Sequence, residues 1–364
     1  MALILGIESS CDETAAAIVR DGDVVVSNVV ASQIKKHAPY GGVVPELAAR
    51  EHLIALQPVL EQTMAQAEMT FKDLDAIAVT SGPGLMPALL VGLNFAKGVA
   101  LNAGLPLIGV NHFLAHICGA FLDGGSKELM DPANYPILAL VVSGGHSSLL
   151  LIEADGSARQ VGFTIDDAAG EALDKAAKLL HLGYPGGPVI QKTAESGDPL
   201  KYHFPRPLTG AAGKPVAPEH RFNFSFSGIK TALLYHARRE GDENGLLSGQ
   251  LLHDSVASYQ EAIIDVLCRK TLDAAEHYKA SSLVLCGGVA CNSVLRERLS
   301  GNAPSHLKLF IAERKYCTDN AAMVAGLGYY MYRRGEFAAP DVDAFARLPL
   351  ISHAPFVPEG VKSV

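Results

Sequence analysis

The sequence has no CxxC pair among its six cysteines, Cys11, Cys118, Cys268, Cys286, Cys291 and Cys317. That excludes a zinc knuckle and offers no disulfide framework, so the thiols read as reduced ones in a cytoplasmic protein. A surplus of basic residues is also missing: 30 Lys and Arg stand against 38 Asp and Glu, a net charge of −8. This argues against a chain that binds nucleic acid unaided, and leaves a local basic face or a partner to supply one. No apolar run reads as long and uninterrupted enough to span a bilayer, so no membrane is expected as a partner. No basic segment precedes the first apolar stretch, LILGIESS, which is too short for a signal peptide. Low-complexity tracts and short-period arrays are missing too. What the chain does have is apolar content. Hydrophobic residues make up 49% of 364 positions. That fills more than one ordinary core, so two lobes are expected.

One pattern occurs twice. Residues 3–20, LILGIESSCDETAAAIVR, and residues 137–152, ILALVVSGGHSSLLLI, each read as strand, bare polar turn and second strand. Backbone N–H groups in such a turn can approach an anion such as a phosphate. Two like turns, one per half, predict two lobes closing on one nucleotide.

Between the repeats, apolar strands alternate with helical stretches, which points to an α/β fold. Asp21-Gly22 predicts a tight turn. A helix is expected from Pro45, with a kink at Pro58. SGPGLMPALLVGLNFAKGVAL predicts a turn feeding a helix, LPLIGV a strand and NHFLAHICGAF a further helix. The second half continues with a helix-rich insertion over about 165–277. SSLVLCGGVACNSVLRERL follows as strand, Gly-Gly turn and helix, with Asn292 one turn in. TDNAAMVAGLGYYMYRR predicts a last helix capped by Thr318 or Asp319. The expected organisation is an N-terminal lobe over 1–133, completed by that helix at about 319–336. A C-terminal lobe follows over 134–318, and then an irregular tail over 337–364.

His112 and His116 have HxxxH spacing, which sets both imidazoles on one helical face. They read either as ordinary histidines or as ligands of one metal ion. Phe113 stands where a metalloprotease carries its glutamate, which discounts proteolysis. Asp319 reads as a third ligand or as a helix cap. Two His and one carboxylate suit iron(II), with zinc as the alternative. Ser143-Gly144-Gly145-His146 weakens an apolar strand, for which close approach of a phosphate is a reason. The Cys286-Gly287-Gly288 turn and Asn292 read as a second nucleotide contact. Asp12 and Glu13 read as a metal-binding, proton-accepting or solvated acidic pair. Asp166, Asp167, Glu171, Asp174 and Lys175 read as a charged helix face, and the adjoining YPGGP as backbone close to a ligand. Residues 202–230 gather His203, Arg206, Lys214, His220, Arg221 and Lys230 with aromatics, an RNA-contact candidate or an ordinary loop.

Nine ordered blocks carry a resemblance over roughly residues 3–335. They are GIESSCDET, YGGVVPELAAREH, SGPGLMPALLVG, NHFLAH, VSGGHSSLL, IDDAAGEALDKAAKLLHLGYPGGP, NFSFSGIKTAL, CGGVACNSVLR and CTDNAAM. Together they resemble the TsaD family of tRNA-modifying transferases. The resemblance implies a two-lobed ATPase fold of the actin, sugar-kinase and heat-shock-protein type, with the nucleotide cleft between the lobes. It implies transfer of threonylcarbamoyl from threonylcarbamoyl-AMP to N6 of the adenosine 3′ of the anticodon in ANN-decoding tRNAs. It further implies one iron or zinc per subunit on His112, His116 and Asp319. Val141, Val142, Ser143, Gly144 and Gly145 would be the substrate loop, with Asp174, Gly187 and Asn292 as further nucleotide contacts for the donor or ATP/ADP. Asp12 and Glu13 match an acidic pair of catalytic type. The partners implied are a TsaB-like paralogue, a TsaE-like ATPase and a TsaC that makes the donor. The helix after SGPGLMPALLVG would be a dimerisation face. Departures from the family pattern are Asn223 for Asp, Ala290-Cys291 for Ser-Ala, and Gln191 for Asp. The rival readings are a plain ATPase or kinase of the same fold, and a non-catalytic scaffold subunit.

Overall fold

Two five-stranded sheets with the same connectivity organise the computed structural model, which describes residues 1–210, 216–347 and 353–358. The first contains β1 (Leu3–Glu8), β2 (Glu13–Arg20), β3 (Val24–Ser32), β4 (Ala76–Gly82) and β5 (Leu107–Asn111), in the order β3-β2-β1-β4-β5. The second contains β6 (Ile137–Val142), β7 (Ser147–Ile152), β8 (Ala158–Phe163), β9 (Ser282–Cys286) and β10 (Lys308–Ile311), in the order β8-β7-β6-β9-β10. Each sheet is an antiparallel meander of three strands extended by two parallel ones. The repeated sequence pattern is therefore a repeated topology.

The local reasons are plain. β1, β6 and β7 are buried along their whole length, in keeping with their mostly apolar sequences. The β2–β3 hairpin turns at Asp21 and Gly22, whose φ values of 52° and 70° suit this pair.

Helices α1 (Pro45–Ala67) and α2 (Met86–Ala103) cover the outer face of the first sheet. Pro58 stands inside α1. Contrary to the expectation from sequence, α2 is long and apolar enough to cross a bilayer, with a mean hydropathy of 1.2 over 18 residues. Lys97 is its single charged residue. It packs Ala88, Leu89, Gly92, Leu93, Ala96 and Ala100 into the core, as a helix lying on a sheet does.

The inner face of the first sheet is covered by a helix from the far end of the chain. Counting on, α3 is His112–Gly119, α4 Ala169–Leu179, α5 Gly186–Ala194, α6 Ser227–Glu240, α7 Gly249–His277, α8 Ser293–Asn302 and α9 Ala321–Arg333. Helix α9 packs on β1, β2 and β4, and against α3. Helix α3 reaches β6 and β9 of the second sheet. One continuous core thus runs from the first sheet through α9 and α3 into the second. The stretch after Arg334 has no helix or strand among its described residues. It is nevertheless tied down: Phe345 N donates to Ser81 O, and Lys97 Nζ to Val342 O.

Candidate functional site

The carboxyl ends of β1, β4 and β5 lie side by side, the usual place for a site on a parallel sheet. β1 ends in Glu8, a fully buried acid. β5 runs straight into α3, whose N-cap Asn111 accepts from Phe113 N and Leu114 N. That junction turns His112 and His116 inward from successive turns. The segment that leads into helix α9 brings Asp319. The cap of α9 is neither Thr318 nor Asp319 but Asn320, whose Oδ1 accepts from Met323 N at 3.1 Å. Because Asn320 does the capping, the Asp319 carboxylate is available to the histidines.

Asp319 Oδ1 lies 3.1 Å from His116 Nε2 and 3.5 Å from His112 Nε2. All three ligand atoms fall within 4.8 Å of one another. The other nitrogen of His112, Nδ1, faces Glu8 Oε2 at 3.2 Å and Ser10 Oγ at 3.3 Å. Glu8 is itself held by Ser10 N at 2.5 Å and Thr80 Oγ1 at 2.7 Å. A carboxylate behind a histidine fixes which ring nitrogen faces the metal. The donor set, its closeness and this support fit a divalent transition metal.

The electrostatics agree with that fit. Burial opposes a proton on His112, but the charges of Asp319 and Glu8 outweigh it and raise its pKa to about 9. Burial likewise works to raise the Asp319 carboxyl, yet His112 and His116 hold it well below the carboxylate range. Burial pushes His116 down. Two imidazoles and two carboxylates thus gather around positive charge, and a metal ion supplies that charge without the proton.

The Ser143–His146 turn borders this cluster. His146 packs edge-on against Phe113, with ring centroids 4.7 Å apart, and burial followed by the charge of His112 lowers its pKa to about 4. Gly144 and Gly145 are exposed, neither has positive φ, and a Cβ on either would meet nothing within 4 Å. Nothing inside the chain requires glycine at either position. Val141 and Val142 differ: both are strand residues of β6 with buried side chains, outside the open turn. Gly287 does have an internal reason, since its φ is 92° and a Cβ would collide with Val142 O.

Asp12 and Glu13 face the same space and feel the charge of Asp319. Burial raises Asp12; burial and then Asp12 raise Glu13 to about 8. Glu13 Oε1 accepts from Ser32 Oγ, whereas its Oε2 is buried without a partner. Asp174, raised by burial to about 6, accepts from Gly186 N at 2.6 Å and feels the charge of Asp12. Gly187 is open: a Cβ there would meet nothing within 4 Å. A consequence for stability follows from Glu13. Between pH 4.5 and about 8 the unfolded chain releases a proton that the folded chain keeps. Stability is therefore expected to fall as pH rises through that window. Denaturant midpoints measured at intervals across it check this: Glu13→Gln should flatten the decline, and an unchanged decline would assign it elsewhere.

Asn292 is not one turn into α8, because the 3-10 turn Gly288–Cys291 intervenes. It is the N-cap of α8, accepting from Leu295 N and donating to Gln260 Oε1. Gln191 accepts from Ser293 N at 3.0 Å, and Asn223 from Phe163 N at 3.2 Å, so both departures serve local structure. Two arginines of the basic loop have acidic partners. Arg206 pairs with Asp265 and Arg221 with Asp273, while Lys214 lies outside the described residues. Glu8 and Thr80 were not legible as site residues, whereas Ser10 and His146 read only as members of the two turns. An acid closing an apolar strand was the one available signal for Glu8.

Comparison with known proteins identifies the family. The family model described as "TsaD: tRNA N6-adenosine threonylcarbamoyltransferase" matches residues 24–326. A protein of that name from Syntrophus aciditrophicus (strain SB) is 47% identical over 349 residues, covering 96% of this chain and 98% of its own. Another from Desulfitobacterium hafniense (strain Y51) is 48% identical over 351 residues, covering 95% and 97%. Among solved structures, HypF of T. kodakarensis superposes with a TM-score of 0.57 at 14% identity, over 94% of this chain and 49% of its own. Component A of the (R)-2-hydroxyglutaryl-CoA dehydratase of Acidaminococcus fermentans gives 0.50 at 14%, over 92% and 100%. These distant structures bear on the fold alone, a two-lobed α/β architecture. The sequence matches go further, and by them the chain belongs to the TsaD family of tRNA N6-adenosine threonylcarbamoyltransferases.

Proposed function

We propose that this chain transfers the threonylcarbamoyl group from threonylcarbamoyl-AMP to N6 of the adenosine 3′ of the anticodon in ANN-decoding tRNAs. The observation that carries the reading is the His112, His116 and Asp319 cluster beside an open Gly144-Gly145 turn. In the transfer, N6 attacks the carbamoyl carbon. A C–N bond forms, the bond from that carbon to the phosphate oxygen breaks, and AMP leaves. The exocyclic amine is a weak nucleophile while the donor is already activated. Orientation and charge stabilisation therefore matter more than a strong base.

The residues divide these tasks. His112, His116 and Asp319 would hold one iron(II) ion per subunit, with zinc as the alternative. When bound, the metal supplies Lewis-acid polarisation or a template for the threonylcarbamoyl group. Backbone N–H groups of Gly144 and Gly145 receive the phosphate. Asp174, Gly187 and Asn292 line the nucleotide side, the same place an ATP or ADP would take. Asp12 or Glu13 takes the proton that N6 releases, and a carboxyl raised toward neutrality suits that task. The acidic chain shares tRNA with partners: a TsaB-like paralogue and a TsaE-like ATPase, with the donor made by a TsaC. Leu53, Leu56, Leu90, Val91 and Phe95 line an apolar groove between α1 and α2, a face suited to the paralogue or to a second copy. The chemistry and its nucleotide substrates belong to the cytoplasm.

The direct test uses unmodified ANN-decoding tRNA, the synthetic donor, this chain and the bacterial partners, read by nucleoside mass spectrometry. Threonylcarbamoyladenosine is the expected product. A folded chain with active partners and no product would overturn the reading. Gly145→Ala gives a sharper local check. It is expected to fold normally, since its Cβ enters open space, but to bind an adenylate analogue about tenfold more weakly, or about 1.4 kcal/mol. Titration calorimetry showing unchanged affinity would remove the turn from the donor site.

A further inference from the structure

Four polar side chains are buried behind the turn of residues 11–13: Thr14 on β2, Gln33 just after β3, His37, and His52 on α1. Their hydrogen bonds run in one direction. Val44 N donates to His37 Nδ1 at 3.2 Å, so the ring proton sits on Nε2, which donates to Gln33 Oε1 at 3.1 Å. That orients the amide: Gln33 Nε2 donates to Ala48 O at 3.4 Å and to His52 Nδ1 at 3.3 Å. Thr14 Oγ1 donates to the same Nδ1 at 2.7 Å, and His52 Nε2 donates to Cys11 O at 3.0 Å. Cys11 O can only accept, so the far end of the run requires the same proton placement as the near end. Gln33 N also donates to Asp12 O at 3.1 Å. Every ring nitrogen of the two histidines has a partner. Buried polar groups cost free energy unless bonded, and a fully bonded set holds one arrangement.

The run joins two different places. One end is the turn that carries Asp12 and Glu13. The other is residues 38–44, a strap between the helical turn Ile34–His37 and α1, with Ala38, Pro39 and Tyr40 exposed. The strap reaches the second lobe. Lys178 Nζ on α4 donates to Tyr40 O at 3.0 Å. Gly41, with φ 69°, passes so close that a Cβ would come within 2.9 Å of the Lys178 side chain. Asp174 stands four residues before Lys178, hence on the same face of α4, and feels the charge of Asp12. One helix face of the second lobe therefore looks onto both ends of the run.

We propose that Thr14, Gln33, His37 and His52 are positioning residues that couple the strap of residues 38–44 to the turn of residues 11–13. Contact with the second lobe at Lys178 and the placing of Asp12 and Glu13 are then set together. The effect on rate is exerted through Asp12 or Glu13, and that half rests on the activity proposed above.

The test follows deuterium uptake of the full-length chain by mass spectrometry, on peptides covering residues 9–14 and 36–44. Gln33→Met keeps the bulk and removes the amide from the middle of the run. It is expected to quicken uptake about tenfold at both ends. Lys178→Met, an exposed change that leaves the core untouched, should quicken the strap and, through the run, residues 11–13. In the Gln33→Met chain the same change should act on the strap alone. Quickening confined to the strap in both single variants would overturn the coupling, as would unchanged uptake at both ends in Gln33→Met. In the transfer assay, Gln33→Met should lower kcat about tenfold, with metal content and the KM for the donor within about twofold. His52→Gln can still accept from Thr14 and donate to Cys11 O, so it should keep kcat within about threefold, whereas His52→Leu should lose it as Gln33→Met does. Equal loss in the two His52 variants would overturn the positioning role. An unaltered chain without transfer would sink the activity and leave the uptake result standing.

Discussion

An Asp319→Ala chain is expected to fold, to lose its metal, and to lose threonylcarbamoyl transfer by about a hundredfold or more. Folding should survive because Asp319 is neither a cap nor a core residue: Asn320 holds the start of α9, and the Asp319 side chain touches the two histidines. Metal binding should not survive. Removing the carboxylate leaves two imidazoles, one of which keeps its proton because Glu8 still stands behind it. Metal content by elemental mass spectrometry and product by nucleoside analysis are two separate readouts. Normal metal content with normal transfer would sink the assignment of this cluster. Loss of metal with full transfer would leave a metal site with no part in the reaction.

Gly6→Ala is expected to destabilise the fold by about 3 kcal/mol or more, the largest effect on stability anticipated for so small a change. Gly6 sits in the middle of β1, with ordinary backbone angles, directly beneath α9. An added Cβ would strike Ala321 O and come within 2.7 Å of Ala325 N. Both are backbone atoms of a helix packed on the sheet, so no side chain can swing aside. The outcome is checked by the chemical denaturation midpoint. A midpoint within experimental error of the unaltered chain would mean that α9 can lift off β1 without penalty. Gly98→Ala is the matched control, because its Cβ would meet nothing and α2 should gain slightly from a better helix former.

How much of this was legible in sequence depended on the range of the signal. Local signals were readable. Apolar runs bounded by turns marked β1, β6 and β9, and Pro45 marked the start of α1. HxxxH spacing brought His112 and His116 together because both ride one helix. The repeated strand–turn–strand pattern anticipated two lobes, since each copy encodes a meander in its own right. Signals that depend on chain crossing were weaker. Asp319 was a ligand candidate by residue type, but its release from capping rests on Asn320 bonding Met323 N, which a Thr-Asp-Asn run leaves open. Glu8 reads as one acid in a strand until β4 and α3 are laid beside it. Asn292 was displaced from its expected place because a 3-10 turn adds residues that a Gly-Gly motif does not announce. In the basic loop, Arg206 and Arg221 have partners on α7, far along the sequence.

The return of α9 to the first sheet has a consequence for how the protein is made. The second sheet has all of its strands once residue 311 has left the ribosome. The first sheet has all of its strands by residue 111, but its inner face waits for residues 321–333. For most of synthesis the half made first carries bare apolar surface at β1, β2 and β4. The half made later closes before it. The order of birth is thus the reverse of the order of completion, and a ribosome that stalls after β10 would release a chain with one finished sheet and one open one. The stretch from Asp319 to Arg333 is therefore both the supplier of the third metal ligand and the cover of the first sheet's inner face. No chain shorter than that can present the His112, His116 and Asp319 set, so a partly made molecule cannot hold the metal on all three of its ligands.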